Sequence, residues 1–191
     1  MAQTDQNKKF PLRTILLVLV IAAVWLGGYL AVSHFFGSFP LDSADDLTAA
    51  LAQANQAETV TILSEAQHDD LRAVLFDPGT PNDRADDGLA LFVPDPLFRT
   101  RWCYADAMPQ DADAPLTLYT RIDRHADPEQ GSSALCIVFG TGVPETVTGC
   151  TLTWDGAPTG EPIAVSGPAV LQLSTQDVAE DRFALEIHTR S

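Results

Sequence analysis

An uninterrupted apolar run near the N-terminus dominates the hydrophobic pattern of the chain. Residues 14–41 contain no Asp, Glu, Lys or Arg, and they begin with TILLVLVIAAVWLGGYLAVS. A helix rises about 1.5 Å per residue, so about 20 apolar residues cross a hydrocarbon core of about 30 Å. The pattern predicts a transmembrane anchor over residues 14–36, preceded by a cytoplasmic tail over residues 1–13.

The charges that flank this run predict its orientation. Lys8, Lys9 and Arg13 precede it, and the next cationic residue along the chain is Arg72. Lys and Arg close to a membrane-spanning helix are retained on the cytoplasmic side. We therefore expect the N-terminus inside the cytoplasmic membrane and residues 38–191 on the extracytoplasmic side, either periplasmic or extracellular.

A cleaved signal peptide is the alternative for the same segment. Thr14–Leu26 would be its apolar core, and Ala31 and Ser33 would supply the small residues at a cleavage site. Signal-peptide cores span about 7–15 residues, and the run here is longer. The length favours an uncleaved signal-anchor.

A short helix is predicted after the anchor, within a juxtamembrane segment over residues 37–57. Ser43 and Asp46 have the spacing of a capping box with Asp in place of Glu. Apolar residues then recur at helical spacing, at Leu47, Ala50, Leu51 and Ala54. This pattern predicts a helix over residues 44–56 that packs against the rest of the protein.

From residue 58 onward the pattern changes to short runs rich in β-branched and aromatic residues, separated by Pro, Gly and Asp. The candidate strands are 58–63, 71–76, 88–93, 97–104, 115–122, 134–140, 146–154, 161–165, 169–174 and 182–189. Residues 65–76 are ambiguous, because they fit either a helix capped at Ser64 or a strand. Strands about ten residues apart indicate a mainly β, antiparallel sandwich or barrel over residues 58–191.

The charge of the predicted outer part is strongly negative. The chain has a formal charge of −15, and residues 1–37 carry +2, which leaves −17 for residues 38–191. This part contains eight arginines and no lysine. Such a field repels phosphate backbones, which argues against nucleic-acid binding. It would attract a basic protein surface or divalent cations, and it also favours solubility.

Three cysteines, Cys103, Cys136 and Cys150, lie in the predicted outer part. An extracytoplasmic compartment permits disulfides. A hairpin centred near Val143 would place Cys136 opposite Cys150, at a Cα separation of about 4.5–5.5 Å that suits a disulfide. The alternative is that the cysteines are buried thiols that act as small hydrophobic residues.

Motifs of known catalytic sites do not occur in the sequence. It contains no GxSxG elbow, HExxH, CxxC or Walker A motif. A hydrolase-type or zinc site could still form if folding brought His68 and His125 together with Asp69, Asp70 or Asp127. We expect no catalytic residue and no bound cofactor, and we keep an envelope hydrolase as an alternative.

The acidic loop Asp77–Gly88 is the strongest candidate for a metal site in the sequence. Asn82, Asp83, Asp86 and Asp87 offer the oxygen ligands that Ca²⁺ prefers. The loop lacks the spacing and the terminal Glu of an EF-hand. A calcium-dependent binding module is therefore a second alternative.

The membrane helix carries a row of small residues. Ala23, Gly27 and Ala31 are four residues apart and share one face of a helix. Small residues at this spacing let two membrane helices approach closely. Together with the missing catalytic motifs, this favours a non-enzymatic single-pass membrane protein. We expect its acidic outer domain to bind or support a protein partner, as an accessory subunit of a membrane complex or through self-association.

Substitution of Gly27 by Leu tests the packing face. A leucine at the point of closest approach would separate the two helix backbones and remove dispersion contacts. We expect Gly27→Leu to lower the crosslinking yield with a partner or a second copy, whereas Val24→Leu on another face leaves it nearly unchanged. Equal yields for Gly27→Leu and wild type would mean that the small residues reflect composition alone.

Overall fold

The computed structural model describes residues 12–79, 88–124, 132–177 and 182–190. Its helices are α1 Leu12–Gly37 and α2 Ala44–Asn55. Its strands are β1 Ser38–Phe39, β2 Thr61–His68, β3 Leu71–Asp77, β4 Gly88–Pro94, β5 Trp102–Pro109, β6 Thr117–Arg124, β7 Ser132–Gly140, β8 Val147–Trp154, β9 Ala157–Pro158, β10 Ile163–Ala164, β11 Val170–Gln176 and β12 Phe183–Thr189.

Helix α1 is the predicted apolar helix. Within the described chain it is the helix long and apolar enough to cross a membrane, over the 24 residues Thr14–Gly37. Its most apolar stretch is not buried by the rest of the protein, and Trp25 is 76% exposed. Lys8, Lys9 and the side chain of Arg13 lie outside the described residues. The orientation of the helix therefore stays a prediction.

Helix α2 begins as its sequence predicts. The Ser43 hydroxyl accepts a hydrogen bond from the Asp46 backbone N–H, and the Asp46 carboxylate accepts one from the Ser43 N–H. The helix ends at Asn55, and Gln56 adopts a left-handed conformation as its C-cap. Its buried face includes Leu47 and Leu51, so the helix is an integral layer of the fold.

The strands form three antiparallel sheets. Sheet 1 has the order β1-β5-β4-β3-β2, sheet 2 has the order β11-β7-β6, and sheet 3 has the order β10-β8-β12 with β9 paired to β8. Every observed pairing is antiparallel. The predicted mainly β, antiparallel class is confirmed.

The sheets and α2 stack as layers, in the order α2, sheet 1, sheet 2 and sheet 3. Strand β7 lies in the middle and is buried on both faces. Its side chains Ile137 and Phe139 pack against β3 and β4 of sheet 1, whereas Cys136 and Val138 pack against sheet 3. The alternation follows from the two-residue period of a strand. Because β7 is buried on both faces, its sequence is the continuous apolar run ALCIVFG and does not alternate with polar residues.

The structure shifts two predicted strands, near β2 and β5, and decides one ambiguous segment. The strand expected over residues 58–63 is found at Thr61–His68. The ambiguous residues 65–76 belong to the β2–β3 hairpin, which turns at Asp69 with a φ of 50°. The strand expected over residues 97–104 begins only at Trp102. Residues 95–101 instead form a loop, because the side chain of Asp95 binds the backbone of this segment.

The hairpin that was expected to join Cys136 and Cys150 does not form. Strand β7 pairs with β6 and β11, and β8 pairs with β9, β10 and β12. Both edges of β7 are occupied by β6 and β11, so the connection between β7 and β8 crosses from sheet 2 to sheet 3, and within it the Val143 N–H donates to the carbonyl of Pro168. The predicted disulfide is therefore wrong in this structure, where both cysteines are buried thiols.

A glycine marks the close approach of β8 and β10 in sheet 3. A Cβ atom added at Gly149 would lie 2.7 Å from the carbonyl oxygen of Ile163, whereas one added at Gly167 would meet no atom within 4 Å. We expect Gly149→Ala to lower the free energy of unfolding by about 1–3 kcal/mol through overpacking. Gly167→Ala is the matched control and should change it little. Denaturant unfolding of the full chain in detergent micelles measures both, and equal stabilities would contradict the close approach.

Candidate functional site

Three side chains with ionisable groups lie together where the C-terminal end of α1 contacts sheet 1. The Nδ1 atom of His34 lies 3.1 Å from Oδ2 of Asp95, and the Cys103 thiol donates to the same oxygen at 3.3 Å. His34 is on the last turn of α1, Asp95 follows β4, and Cys103 is on β5. We call these three residues the junction cluster.

Asp95 is positioned by the sequence Pro94-Asp95-Pro96, which ends β4. Its Oδ1 atom accepts hydrogen bonds from the backbone N–H groups of Leu97 and Phe98, at 2.7 and 2.8 Å. Asp side chains commonly bind the backbone two or three residues ahead in this way. Asp95 is 1% exposed, and its Oδ2 atom is directed at His34 and Cys103.

Arg101 ties the same loop to the end of α1. The Asp95 N–H donates to the Arg101 carbonyl at 2.8 Å. The Arg101 guanidinium donates to the carbonyls of Phe35 and Ser38 and to the Ser38 hydroxyl, and it lies 4.4 Å from the centre of the Phe35 ring. A cation suits this place because the last carbonyls of a helix have no partner within the helix. The junction is thereby closed by charged hydrogen bonds as well as by strand pairing.

Strand β1 follows α1 directly and completes the junction. Ser38 pairs with Cys103 and Phe39 pairs with Trp102, which adds β1 to the edge of sheet 1. The Ser38 hydroxyl also donates to the carbonyl of His34 at 2.7 Å. Helix α1 therefore passes into the sheet through paired backbone.

The ionisation of Asp95 and Cys103 reflects their surroundings. Burial alone would raise the pKa of Asp95, but the hydrogen bonds from Phe98, Leu97, His34 and Cys103 outweigh it and hold this pKa well below its ordinary value. Burial and the neighbouring Asp95 carboxylate raise the pKa of Cys103 to about 11. At neutral pH the site thus holds a carboxylate and a neutral thiol.

The donor atoms of the junction cluster are close enough to bind one metal ion. His34 Nδ1, Cys103 Sγ and a carboxylate oxygen of Asp95 all lie within 4.8 Å of one another, which makes this the one such group within the described residues. A cavity of about 240 Å³, lined by Ser33, His34, Gly37 and Cys103, opens beside it.

A second candidate is a cleft of about 410 Å³ between sheets 1 and 2, which contains His68. The Nε2 atom of His68 lies 2.7 Å from the hydroxyl oxygen of Thr175 and 3.6 Å from Oδ2 of Asp69. Arg121 and Ser133 also line the cleft. In a Ser-His-Asp arrangement the hydroxyl and the carboxylate bind different ring nitrogens. Here both face Nε2, so the geometry differs from that of a catalytic triad.

The site residues predicted from the sequence have mixed outcomes. The calcium ligands Asn82, Asp83, Asp86 and Asp87 lie outside the described residues, and so does His125. The calcium site and the convergence of two histidines therefore stay predictions.

The packing face of α1 also stays a prediction. Ala23, Gly27 and Ala31 are part of the helix, and a Cβ atom added at Gly27 would meet no atom within 4 Å. The space that a second helix would occupy is thus open in this single chain.

The sequence pattern did not predict the junction cluster. His34, Asp95 and Cys103 are separated by 61 and 8 residues, and no ligand motif has that spacing. Asp95 between two prolines was the available local signal, because Asp and Pro favour loops. Cys103 comes near Asp95 through the β4–β5 pairing, and His34 is added when β1 pairs with β5.

The depressed pKa of Asp95 predicts how stability depends on pH. The native state binds a proton at Asp95 less readily than the unfolded chain, so the stabilisation is complete above the ordinary pKa of 3.8 and is lost as the pH falls below it. We expect wild type to melt at a higher temperature than Asp95→Asn at pH 7. The gap should narrow below about pH 4.

An exposed aspartate provides the control for this experiment. Asp111 also accepts a backbone N–H, from Asp113 at 3.0 Å, but it is exposed to solvent. Asp111→Asn should change the melting temperature little at either pH. A gap between wild type and Asp95→Asn that is constant from pH 7 down to about pH 2 would contradict the assignment.

The chain was also compared with known proteins. No family model, no curated protein and no solved structure matches it.

Proposed function

We propose that the protein is a non-enzymatic, single-pass membrane protein whose acidic outer domain binds or supports a protein partner. In this proposal α1 is an uncleaved anchor in the cytoplasmic membrane, with its N-terminus inside. The β-sheets lie on the extracytoplasmic side, and the protein acts as an accessory subunit of a membrane complex.

The observation that carries the proposal is the hydrogen-bonded junction between α1 and sheet 1. The helix is followed at once by β1, whose Ser38 pairs with Cys103, and its last turn is bound by Asp95 and Arg101. A helix that served only as a tether would need none of these contacts. A junction of this kind holds the domain in one orientation relative to the helix, as a subunit that docks against a membrane neighbour requires.

Charge supports a protein as the partner. Residues 38–191 carry −17, with no lysine among them. Anionic lipid surfaces and nucleic acids would be repelled by this field, whereas a basic protein surface would be attracted to it. Proximity of the domain to the membrane then brings it alongside other membrane proteins.

An envelope hydrolase remains the second candidate function, and one observation favours it. His68 lies in a cleft with the Thr175 hydroxyl at 2.7 Å and a carboxylate nearby. The position of Thr175 and Asp69 on the same ring nitrogen weakens this alternative, since a base needs one nitrogen for the nucleophile and the other for its orienting group. His68→Ala would abolish such an activity and leave partner binding intact.

A flexible insertion at the junction tests the proposal. A short Gly-Ser segment between Gly37 and Ser38 would keep both the helix and the domain but release their relative orientation. We expect it to lower the yield of a partner that co-purifies with the tagged full chain in mild detergent, because docking then loses its fixed geometry. Quantitative mass spectrometry of the co-purified proteins measures the effect.

The matched control is the same segment inserted between Glu161 and Pro162, which are exposed residues of the loop between β9 and β10. This insertion should leave the yield unchanged. Equal loss in both variants would indicate general disruption of the domain. Unchanged yields in both would mean that α1 is a plain tether.

A further inference from the structure

We propose that the junction cluster is a binding site for a zinc-class divalent transition-metal ion, held by His34 Nδ1, Cys103 Sγ and Asp95 Oδ2. The inference goes beyond the proposed function, because it concerns the chemistry of the junction and does not depend on the identity of a partner. It adds a metal link between α1 and sheet 1.

The donor set selects the class of ion. A thiolate and an imidazole are ligands for Zn²⁺ and related transition metals, whereas Ca²⁺ and Mg²⁺ prefer oxygen ligands alone. Combinations of Cys, His and a carboxylate are found around Zn²⁺. The site thus differs in metal class from the calcium loop predicted from the sequence.

Two of the three donor separations match the tetrahedral geometry of Zn²⁺, and the third, between His34 Nδ1 and Cys103 Sγ, is within 4.8 Å. With Zn–N and Zn–O bonds of about 2.0–2.2 Å and a Zn–S bond of about 2.3 Å, tetrahedral angles place N and O about 3.3 Å apart and S and O about 3.5 Å apart. The corresponding separations here are 3.1 Å from His34 to Asp95 and 3.3 Å from Cys103 to Asp95. An ion at the centre requires shifts of only a few tenths of an ångström along these two edges.

The carboxylate is already oriented as a ligand. Two backbone N–H groups, of Leu97 and Phe98, hold Oδ1, and the loop closed by the Asp95–Arg101 backbone hydrogen bond fixes the Cα position. The remaining oxygen, Oδ2, is directed at both other donors. Hydrogen bonds that orient a ligand in this way are a regular part of metal sites.

The charges and protons of the three ligands balance when a divalent ion binds. On binding, the Cys103 thiol loses its proton to solvent, and the N–H of the His34 ring moves to Nε2 so that Nδ1 can donate its electron pair. One carboxylate and one thiolate then neutralise a dication. The cavity beside His34 and Cys103 has room for a water as the fourth ligand.

Titration of the full-length protein in detergent micelles, purified with a chelator, tests the site. Co²⁺ is the first probe, because it occupies zinc sites and reports cysteine ligation by a thiolate-to-cobalt absorption band in the near ultraviolet. We expect this band to saturate at one Co²⁺ per chain and to disappear when Zn²⁺ displaces the cobalt. We also expect Zn²⁺ to raise the melting temperature of wild type, since it binds the native junction and links three separate elements.

Two variants remove one ligand each. Cys103→Ala should abolish the absorption band, and both Cys103→Ala and His34→Ala should weaken Zn²⁺ binding by about 100-fold or more. The groups that only orient metal ligands already contribute about 10–100-fold. Circular dichroism shows whether each variant keeps the β-sheet signal, and His34→Ala, at a side chain that is 35% exposed, preserves the test if Cys103→Ala does not fold.

The matched control is His68→Ala, which removes a histidine that also lies beside carboxylates. It should leave the absorption band, the stoichiometry and the thermal shift unchanged. Zn²⁺ affinity that is unchanged in Cys103→Ala, or a cobalt spectrum without a thiolate band, would overturn the proposal. Binding that is lost in His68→Ala but kept in His34→Ala would assign the ion to the cleft and would equally overturn it.

Discussion

The carboxylate of Asp95 is the group on which the connection between α1 and the sheets depends. A buried charge requires donors, and Asp95 obtains them from the backbone of its own loop and from His34 and Cys103. By holding the loop, it also sets the position of Arg101, which binds the last carbonyls of α1. Removal of this carboxylate would leave several polar groups without their partners at once.

The layered packing explains why the junction lies at the edge of sheet 1. The middle of the stack is apolar on both faces, as in β7, where alternate side chains fill two separate hydrophobic cores. The buried charged side chain Asp95 lies outside this apolar middle, at the end of β4. The short strand β1 occupies an edge of sheet 1 and covers β5, which would otherwise present unpaired backbone groups.

The proposed function depends on the contacts between α1 and sheet 1. Strand pairing and charged hydrogen bonds connect the domain to its helix, and under the proposed function they would fix the surface that faces the membrane. A metal ion at His34, Asp95 and Cys103 would reinforce that arrangement, since it would join the helix to β5 and to the loop after β4. No family model and no solved structure matches the chain, so these contacts are the structural basis of the proposed function.

The sequence by itself determined the elements whose signals are local. The apolar run specified α1, the Ser43–Asp46 spacing specified the start of α2, and short runs of β-branched and aromatic residues between Pro, Gly and Asp identified most strands. These features depend on residues close together in the chain, where helix length, capping and alternation are set by backbone geometry alone.

The tertiary structure decided which strands pair and which side chains meet. The sequence favoured a hairpin between β7 and β8, because it could not reveal that β11 would pair with β7 and that β8 would join another sheet. His34 and Asp95 are 61 residues apart and became neighbours only through the β1–β5 pairing. Alternative strand pairings can satisfy the same backbone hydrogen bonds, so the local sequence does not distinguish them. Burial of the whole core selects the pairing that forms.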